Sequence, residues 1–215
     1  MIEHAHVDLA DTASRVAHLS SPDDARWSAV VVLAPGEALE LPAGARTDLL
    51  VLRGAASDGA GERLDPGDFL SDSAARTLHG GPEGATLLAY REVRQPGAAV
   101  PPRVAIARDA RPWRRGRTPG MTVASLSNAG HALSLVQWQP GASTRPHTHP
   151  RGEEIFVLRG ELVTVDARHP EGSWMRLPPG AWHAPTVEVP TMILVRNGHL
   201  AGTGLRPAAV LDAAP

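Results

Sequence analysis

Three histidines and a glutamate between residues 147 and 183 carry the strongest chemical signal in this chain. His147-Thr148-His149 is followed by Pro150-Arg151-Gly152 and then Glu153; farther on, Pro178-Pro179-Gly180 leads to His183. Strand side chains alternate faces, so His147 and His149 point the same way. Pro150-Arg151-Gly152 reads as a turn. Glu153 then opens a returning strand that ends at Arg159-Gly160, and a carboxylate there can face both imidazoles across an antiparallel pair. The second turn delivers His183 at the start of another strand. Three imidazoles and a carboxylate can surround one divalent cation and leave one or two exchangeable positions for substrate, water or dioxygen. Imidazole suits Zn, Fe, Mn, Ni and Cu alike, so the spacing does not select the metal. Glu154 is the alternative carboxylate, but alternation turns it to the opposite face.

The elements that must position these groups come in two similar sets. Leu33-Ala-Pro-Gly36 resembles Gln137-Trp-Gln-Pro-Gly141, and Leu50-Val-Leu-Arg-Gly54 nearly repeats as Phe156-Val-Leu-Arg-Gly160. Leu64-Asp-Pro-Gly67 corresponds to Leu177-Pro-Pro-Gly180, and Leu87-Leu-Ala-Tyr-Arg91 to Met192-Ile-Leu-Val-Arg196. The order is kept at an offset of about 105 to 113 residues, the mark of a duplicated domain. The join is expected in the Pro/Gly-rich stretch Gln95–Arg103, dividing the chain into residues 1–98 and 99–215. Short strands are predicted at Trp27–Leu33, Asp48–Leu52, Thr86–Glu92, Leu133–Trp138, Glu154–Leu158 and Thr191–Val195. They are bounded by turns, as in an all-β sandwich or barrel. Helix signals are weak, with a turn or two expected at Asp8–His18 or Asp23–Trp27. Gly59–Gly61 and Gly80-Gly81-Pro82 read as turns, and neither opens a helix that could cradle a phosphate.

Composition narrows the function classes. With a formal net charge of −2, no nucleic-acid or anionic-membrane partner is expected. The absence of cysteine excludes disulfides, thiolate zinc sites and a cysteine nucleophile. The N-terminus has no apolar signal-peptide core, and the apolar runs are too short to span a bilayer, so a cytoplasmic location is expected. No serine-triad spacing or dinucleotide fingerprint is present.

The two motifs resemble those of the cupin superfamily. Its first, G-x5-H-x-H-x3-E-x6-G, is met by Gly141, His147, His149, Glu153 and Gly160. Its second, G-x5-P-x-G-x2-H-x3-N, is met by Gly172, Pro178, Gly180 and His183, with Val187 in place of the final Asn. The wording HTHPRGEEIFVLRGEL is similar to the cupin-like domain of ChrR-type anti-sigma factors. The resemblance implies an all-β fold of two tandem cupin (double-stranded β-helix, jelly-roll) barrels. It also implies zinc bound through His147, His149, Glu153 and His183, and a link to sensing of oxidants. Without cysteine, a complete anti-sigma factor with its separate zinc domain is not expected. Other two-barrel members of the superfamily are metal-dependent dioxygenases. The expectation is one divalent metal ion per chain (Zn, Fe, Mn or Ni) and a small-molecule ligand or substrate. Activity is either that of a dioxygenase on an oxygen-rich molecule or that of a non-catalytic zinc-binding sensor.

The first half is expected to be a degenerate copy. Its His-x-His positions fall within Leu41–Gly44, its glutamate position at Thr47 or Asp48, and Leu70 replaces His183. It would serve structure, in pocket closure or a homodimer. Among the remaining residues, His79, His131, His169 and His199 sit near turns and are expected to be exposed, and His4 and His6 to lie on a frayed or edge strand. Trp182 is expected in the core, on the face opposite His183, and Trp138 and Trp174 to line a pocket or the core. Arg111–Arg117 reads as a solvated loop, while Arg145 and Arg176 are candidates to hold an anionic substrate.

Overall fold

The computed structural model describes residues 1–10, 16–94, 97, 99–128 and 131–201. The chain forms two compact units: Ala10–Arg111, and Met1–Leu9 together with the chain from Pro112. Among the described residues all extended elements are strands, and the one helical turn is 3-10, at Arg108–Ala110. The expected helical turns are absent where described: Asp23 lies in a turn, Arg26 begins a strand, and Val16–His18 is a strand. Residues 11–15 of the other candidate, and residues 95, 96 and 98 of the expected join, lie outside the described residues. No helix is long and apolar enough to cross a membrane.

Both units are antiparallel jelly-roll barrels with the same strand order. In the second-half unit a seven-stranded sheet runs Glu3–His6, Ser173–Leu177, Glu153–Arg159, Thr191–Asn197, Ala132–Trp138, Met121–Ser127, Trp113–Arg115. Two short pairs complete it: His147–Thr148 with Trp182–His183, and Glu161–Val163 with Arg168–Pro170. In the first-half unit the order is Val104–Ile106, Phe69–Asp72, Ala45–Asp58, Arg76–Val93, Arg26–Leu33, Val16–His18. Position for position this is the same path, so the repeat in the residues is a repeat of topology.

The boundary differs from the expected one at residue 98 for a hydrogen-bonding reason. Phe69–Asp72 would be an open sheet edge; Val104–Ile106 pairs with it and stays with the first unit. The equivalent edge, Ser173–Leu177, is covered by Glu3–His6 from the far end of the chain. His4 and His6 are thus on an edge strand with a defined register, His4 opposite Met175 and His6 opposite Ser173.

The predicted strands are present but longer. Asp48–Leu52 extends to Ala45–Asp58 and Thr86–Glu92 to Arg76–Val93, each register shifting at bulges. Gly80-Gly81-Pro82 therefore lies inside a strand and is not a turn. The glycines serve close approach: a Cβ on Gly80 would lie 2.3 Å from the Ala34 carbonyl oxygen. Both Leu-Arg-Gly repeats end alike, at a positive-φ glycine where a Cβ would meet a carbonyl oxygen, 2.1 Å away at Gly54 and 2.5 Å at Gly160.

The interiors differ. Leu49, Val51, Leu70, Leu78 and Leu87 pack the first barrel with hydrocarbon. Met175, Leu177, Ile155, Val157 and Ile193 do so in the second, but there the apolar core leaves room for imidazoles and a carboxylate.

Candidate metal centre

The site is built by strand register. His147 lies directly opposite His183 in a two-strand antiparallel pair, so the two imidazoles share a face, with ring centroids 4.4 Å apart. Thr148 opposite Trp182 takes the other face, which leaves Trp182 42% exposed and not in the core as expected. His149 follows on the His147 side, and its carbonyl accepts the backbone N–H of both Gly152 and Gly180, tying the two predicted turns together. Glu153 opens a central strand, paired with Leu177 on one side and Asn197 on the other.

These elements bring His147, His149 and His183 together and place Glu153 against His149 and His183. His147 Nε2 and His149 Nε2 lie 3.0 and 3.1 Å from His183 Nε2. Glu153 Oε1 is 3.3 Å from His149 Nε2, and Oε2 is 3.2 Å from His183 Nε2. Among the described residues His147, His149 and His183 form the one group of three metal-ligating side chains. Two nitrogens about 2.1 Å from a common ion are about 3.0 Å apart at a right angle and about 3.4 Å at the tetrahedral angle. The two separations from His183 are of the size that nitrogens sharing one ion would have.

The donor set fits a cation on other grounds as well. His183 Nε2 faces two imidazole nitrogens and a carboxylate oxygen, and a single N–H can serve only one of them. Glu153 Oε2 is buried and makes no hydrogen bond. His147 Nδ1–H donates to the Arg145 carbonyl at 2.9 Å, which fixes the tautomer and turns the Nε2 lone pair toward the site. Arg145 thus contributes through its backbone, while its side chain is exposed. Burial pushes His183 down to about 3, helped by His147 and His149. Burial and His147 push His149 down to about 4. Both rings are therefore neutral near pH 7, the form that binds metals. Burial pushes the Glu153 carboxyl up to about 8, against a hydrogen bond with Asn197.

Asn197 is the residue that sequence reasoning missed. The family's Asn position is Val187, which is buried in the apolar core. Asn197 instead reaches Glu153 through strand register, a relation with no local sequence signal.

The opposite face of the Glu153–Arg159 strand carries a buried charge cluster. Glu154, fully buried, lies 2.5 Å from Arg176 Nε, 3.3 Å from His199 Nε2 and 3.7 Å from an Arg196 nitrogen. Burial opposes its charge, but His199, Arg176 and Arg196 hold its carboxyl well below the usual range. Glu154 is thus turned away from the histidines, and Arg176, buried against it, is not placed to hold a substrate anion. His131, His169 and His199, expected at the surface, are buried, whereas His79 is exposed. Trp138 and Trp174 are core residues. Within Arg111–Arg117, Trp113–Arg115 is an edge strand with Arg114 and Arg115 exposed, not a loop.

In the first barrel the strand parity of Leu49 and Val51 puts Thr47 at the place of Glu153, and Leu70 is buried in hydrocarbon. Asp48 faces the other way, 3.0 Å from Arg46 Nε, whose N–H also reaches Ser71.

Residues 101–201 match the family model of the ChrR Cupin-like domain. The chain is 32% identical over 106 residues to Nectarin-1 of Nicotiana langsdorffii x Nicotiana sanderae, covering 43% of this chain and 46% of the relative. The chain spans less than half the length of the curated relatives it matches. Among solved structures it is similar to a candidate dioxygenase from Nostoc punctiforme (TM-score 0.70, 19% identity, 99% of this chain and 87% of the other). It is also similar to salicylate 1,2-dioxygenase from Pseudaminobacter salicylatoxidans (TM-score 0.67, 12% identity, 89% and 79%). At these identities the likeness is one of fold.

Proposed function

We propose that this chain, which belongs to the cupin superfamily, holds one divalent metal ion through His147, His149, Glu153 and His183 and uses it to oxygenate a small oxygen-rich molecule. The observation that carries the reading is the clustering of three imidazoles, with the buried Glu153 carboxylate against two of them, His149 and His183. A redox-active ion there supplies Lewis acidity and electron transfer to substrate and dioxygen.

The chain's own residues do the rest. His183 and Glu153 form the buried side of the centre, and His147 and His149, half-buried, form its open side. A cavity of about 500 Å³ opens beside His149, lined in part by Asn128, Arg151 and Asn197. Asn197 orients the Glu153 carboxyl, and Glu153, when not ligating, can hold a proton at Oε2 for a bound substrate. The first barrel, packed with leucines where the ligands would stand, serves structure. We place the protein in the cytoplasm, as a homodimer, with a small molecule and not nucleic acid as its partner.

A second reading is a zinc-binding sensor without turnover, favoured by the match of residues 101–201 to the ChrR Cupin-like domain. Element analysis of protein purified without chelators, with oxygen uptake measured on diketones and phenolic acids, separates the two. Iron or manganese with substrate-dependent uptake is expected. Tightly held zinc with no uptake under any metal loading would sink the dioxygenase reading.

A further inference from the structure

A second cavity, of about 340 Å³, touches the centre through His183, the one candidate ligand in its lining. Register explains its walls. Leu177 is paired with Glu153, and Met175 with Ile155, so both project into the barrel on the face that carries the Glu153 carboxylate. Met175, Leu177 and Ala181 are buried members of the apolar core. The rim is also apolar: Val165 and Trp182 are 71% and 42% exposed, among the large hydrophobic side chains left in water. His4 and His169, with rings stacked 5.6 Å apart at 7°, close one flank by joining the edge strand Glu3–His6 to the strand Arg168–Pro170. No arginine or lysine lines the cavity among the described residues, and the one charged side chain there is Asp166.

We propose that this cleft is the substrate site of the metal centre. It takes a small molecule with an apolar, ring-sized body and an oxygen-bearing end presented at His183. The assignment rests on the metal-centre reading above. Two physical points carry it. At roughly the 30 Å³ that a water occupies in the liquid, the cleft holds about eleven heavy atoms, a small organic acid or ketone and not a peptide. Its buried walls are mainly hydrocarbon, and the one fixed cation in the lining is the α-ammonium of the fully exposed Met1, so a compact dianion would lose its hydration for little return, while an aryl body would leave water favourably. An apolar cleft that is open at the rim and ends at a metal-ligating histidine is otherwise a costly feature.

The test loads the protein with cobalt(II) and titrates benzoylformate and, separately, oxalate, following the visible cobalt absorption and tryptophan fluorescence. Benzoylformate is expected to bind at least tenfold more tightly than oxalate and to quench a signal that Trp182→Phe removes. Val165→Glu and Ala167→Trp, both at exposed positions that folding tolerates, should weaken benzoylformate at least tenfold and leave oxalate within twofold. Equal affinities, insensitive to both substitutions and lowered together by Arg151→Ala, would overturn the assignment in favour of the polar cavity beside His149. Protein that takes up no cobalt would instead overturn the metal-centre reading and, with it, this one.

Discussion

Adjacent residues Glu153 and Glu154 should give opposite phenotypes when each is changed to Gln. They sit on the two faces of one central strand, Glu153 against the His149 and His183 imidazoles and Glu154 among buried arginines. Glu154→Gln removes the buried carboxylate beside Arg176 and Arg196, whose side chains are 3% and 1% exposed, leaving Arg176 the more exposed Glu3 at 3.7 Å. Removing one partner from such a buried pair costs about 3–5 kcal/mol. At about 2–4 °C per kcal/mol, the melting temperature should fall by about 10 °C. Metal content at saturating ion should stay at the wild-type level. Glu153→Gln should do the reverse. Burial pushes this carboxyl up to about 8, so without metal it is protonated at pH 7, and Gln keeps its size and neutrality. Ion-free stability should change by less than about 1 kcal/mol. Metal affinity should fall at least tenfold, about 1.4 kcal/mol, for want of an anionic ligand. The assay is urea denaturation in chelator together with metal titration of all three proteins. If Glu154→Gln released the metal and kept its unfolding midpoint, the face assignment of the strand would be wrong, and the ligand set with it.

The His147→Ala, His149→Ala double variant should retain less than about a tenth of the wild-type metal by element analysis; full retention would mean the ligands are elsewhere. Metal at about 100 times its dissociation constant should stabilise the wild type by about 2.7 kcal/mol over chelator-treated protein, and the double variant not at all, as read from melting curves. Asp72 should contribute acid sensitivity. Burial opposes its charge, but the backbone N–H groups of Ala74 and Ser73 and the Arg76 guanidinium together lower its pKa below 3.8. Its stabilisation is complete above about pH 4 and is lost as pH falls through the lowered folded value, so Asp72→Asn should flatten that part of an acid-denaturation profile. Gly54→Ala meets both a positive φ and the Gly84 carbonyl oxygen, 2.1 Å from the new Cβ. It should cost upward of about 2 kcal/mol in denaturation and leave metal content unchanged, since the candidate ligands all lie in the other unit.

How much of this was legible beforehand depended on range along the chain. The ligands sit beside turn residues whose conformations are local: Gly152 and Gly180 both have positive φ, and both N–H groups close on the His149 carbonyl. Spacing therefore carried much of the geometric information: the three histidines cluster, with Glu153 beside two of them. The duplicated halves were equally readable, because each repeated Pro-Gly and Leu-Arg-Gly marks a turn that the barrel path requires.

What sequence alone did not disclose needs register between distant strands. Nothing around His4 says that it pairs opposite Met175, and nothing around Asn197 says that it faces Glu153. The misread histidines and Arg176 share this cause. Proximity to a turn suggested exposure, yet the neighbours that bury His131, His199 and Arg176 come from separate strands and loops. The Gly80–Pro82 segment failed for a different reason: glycine serves close backbone approach as well as turning, and local composition does not distinguish the two uses. The alternation rule survives where these local signals fail. It places Thr47 and Glu153 on matching inward positions and Asp48 and Glu154 on the outward ones, and the inward layer of the first barrel carries Thr47 and leucines where the second carries candidate ligands. An outward carboxylate with an arginine partner occurs in both copies, but the arginine comes from a different place: Arg46 of the same strand for Asp48, Arg176 of the neighbouring strand for Glu154. The inward face thus differs between the copies, while the outward face keeps a buried carboxylate, whose charge is tolerated only beside a cation.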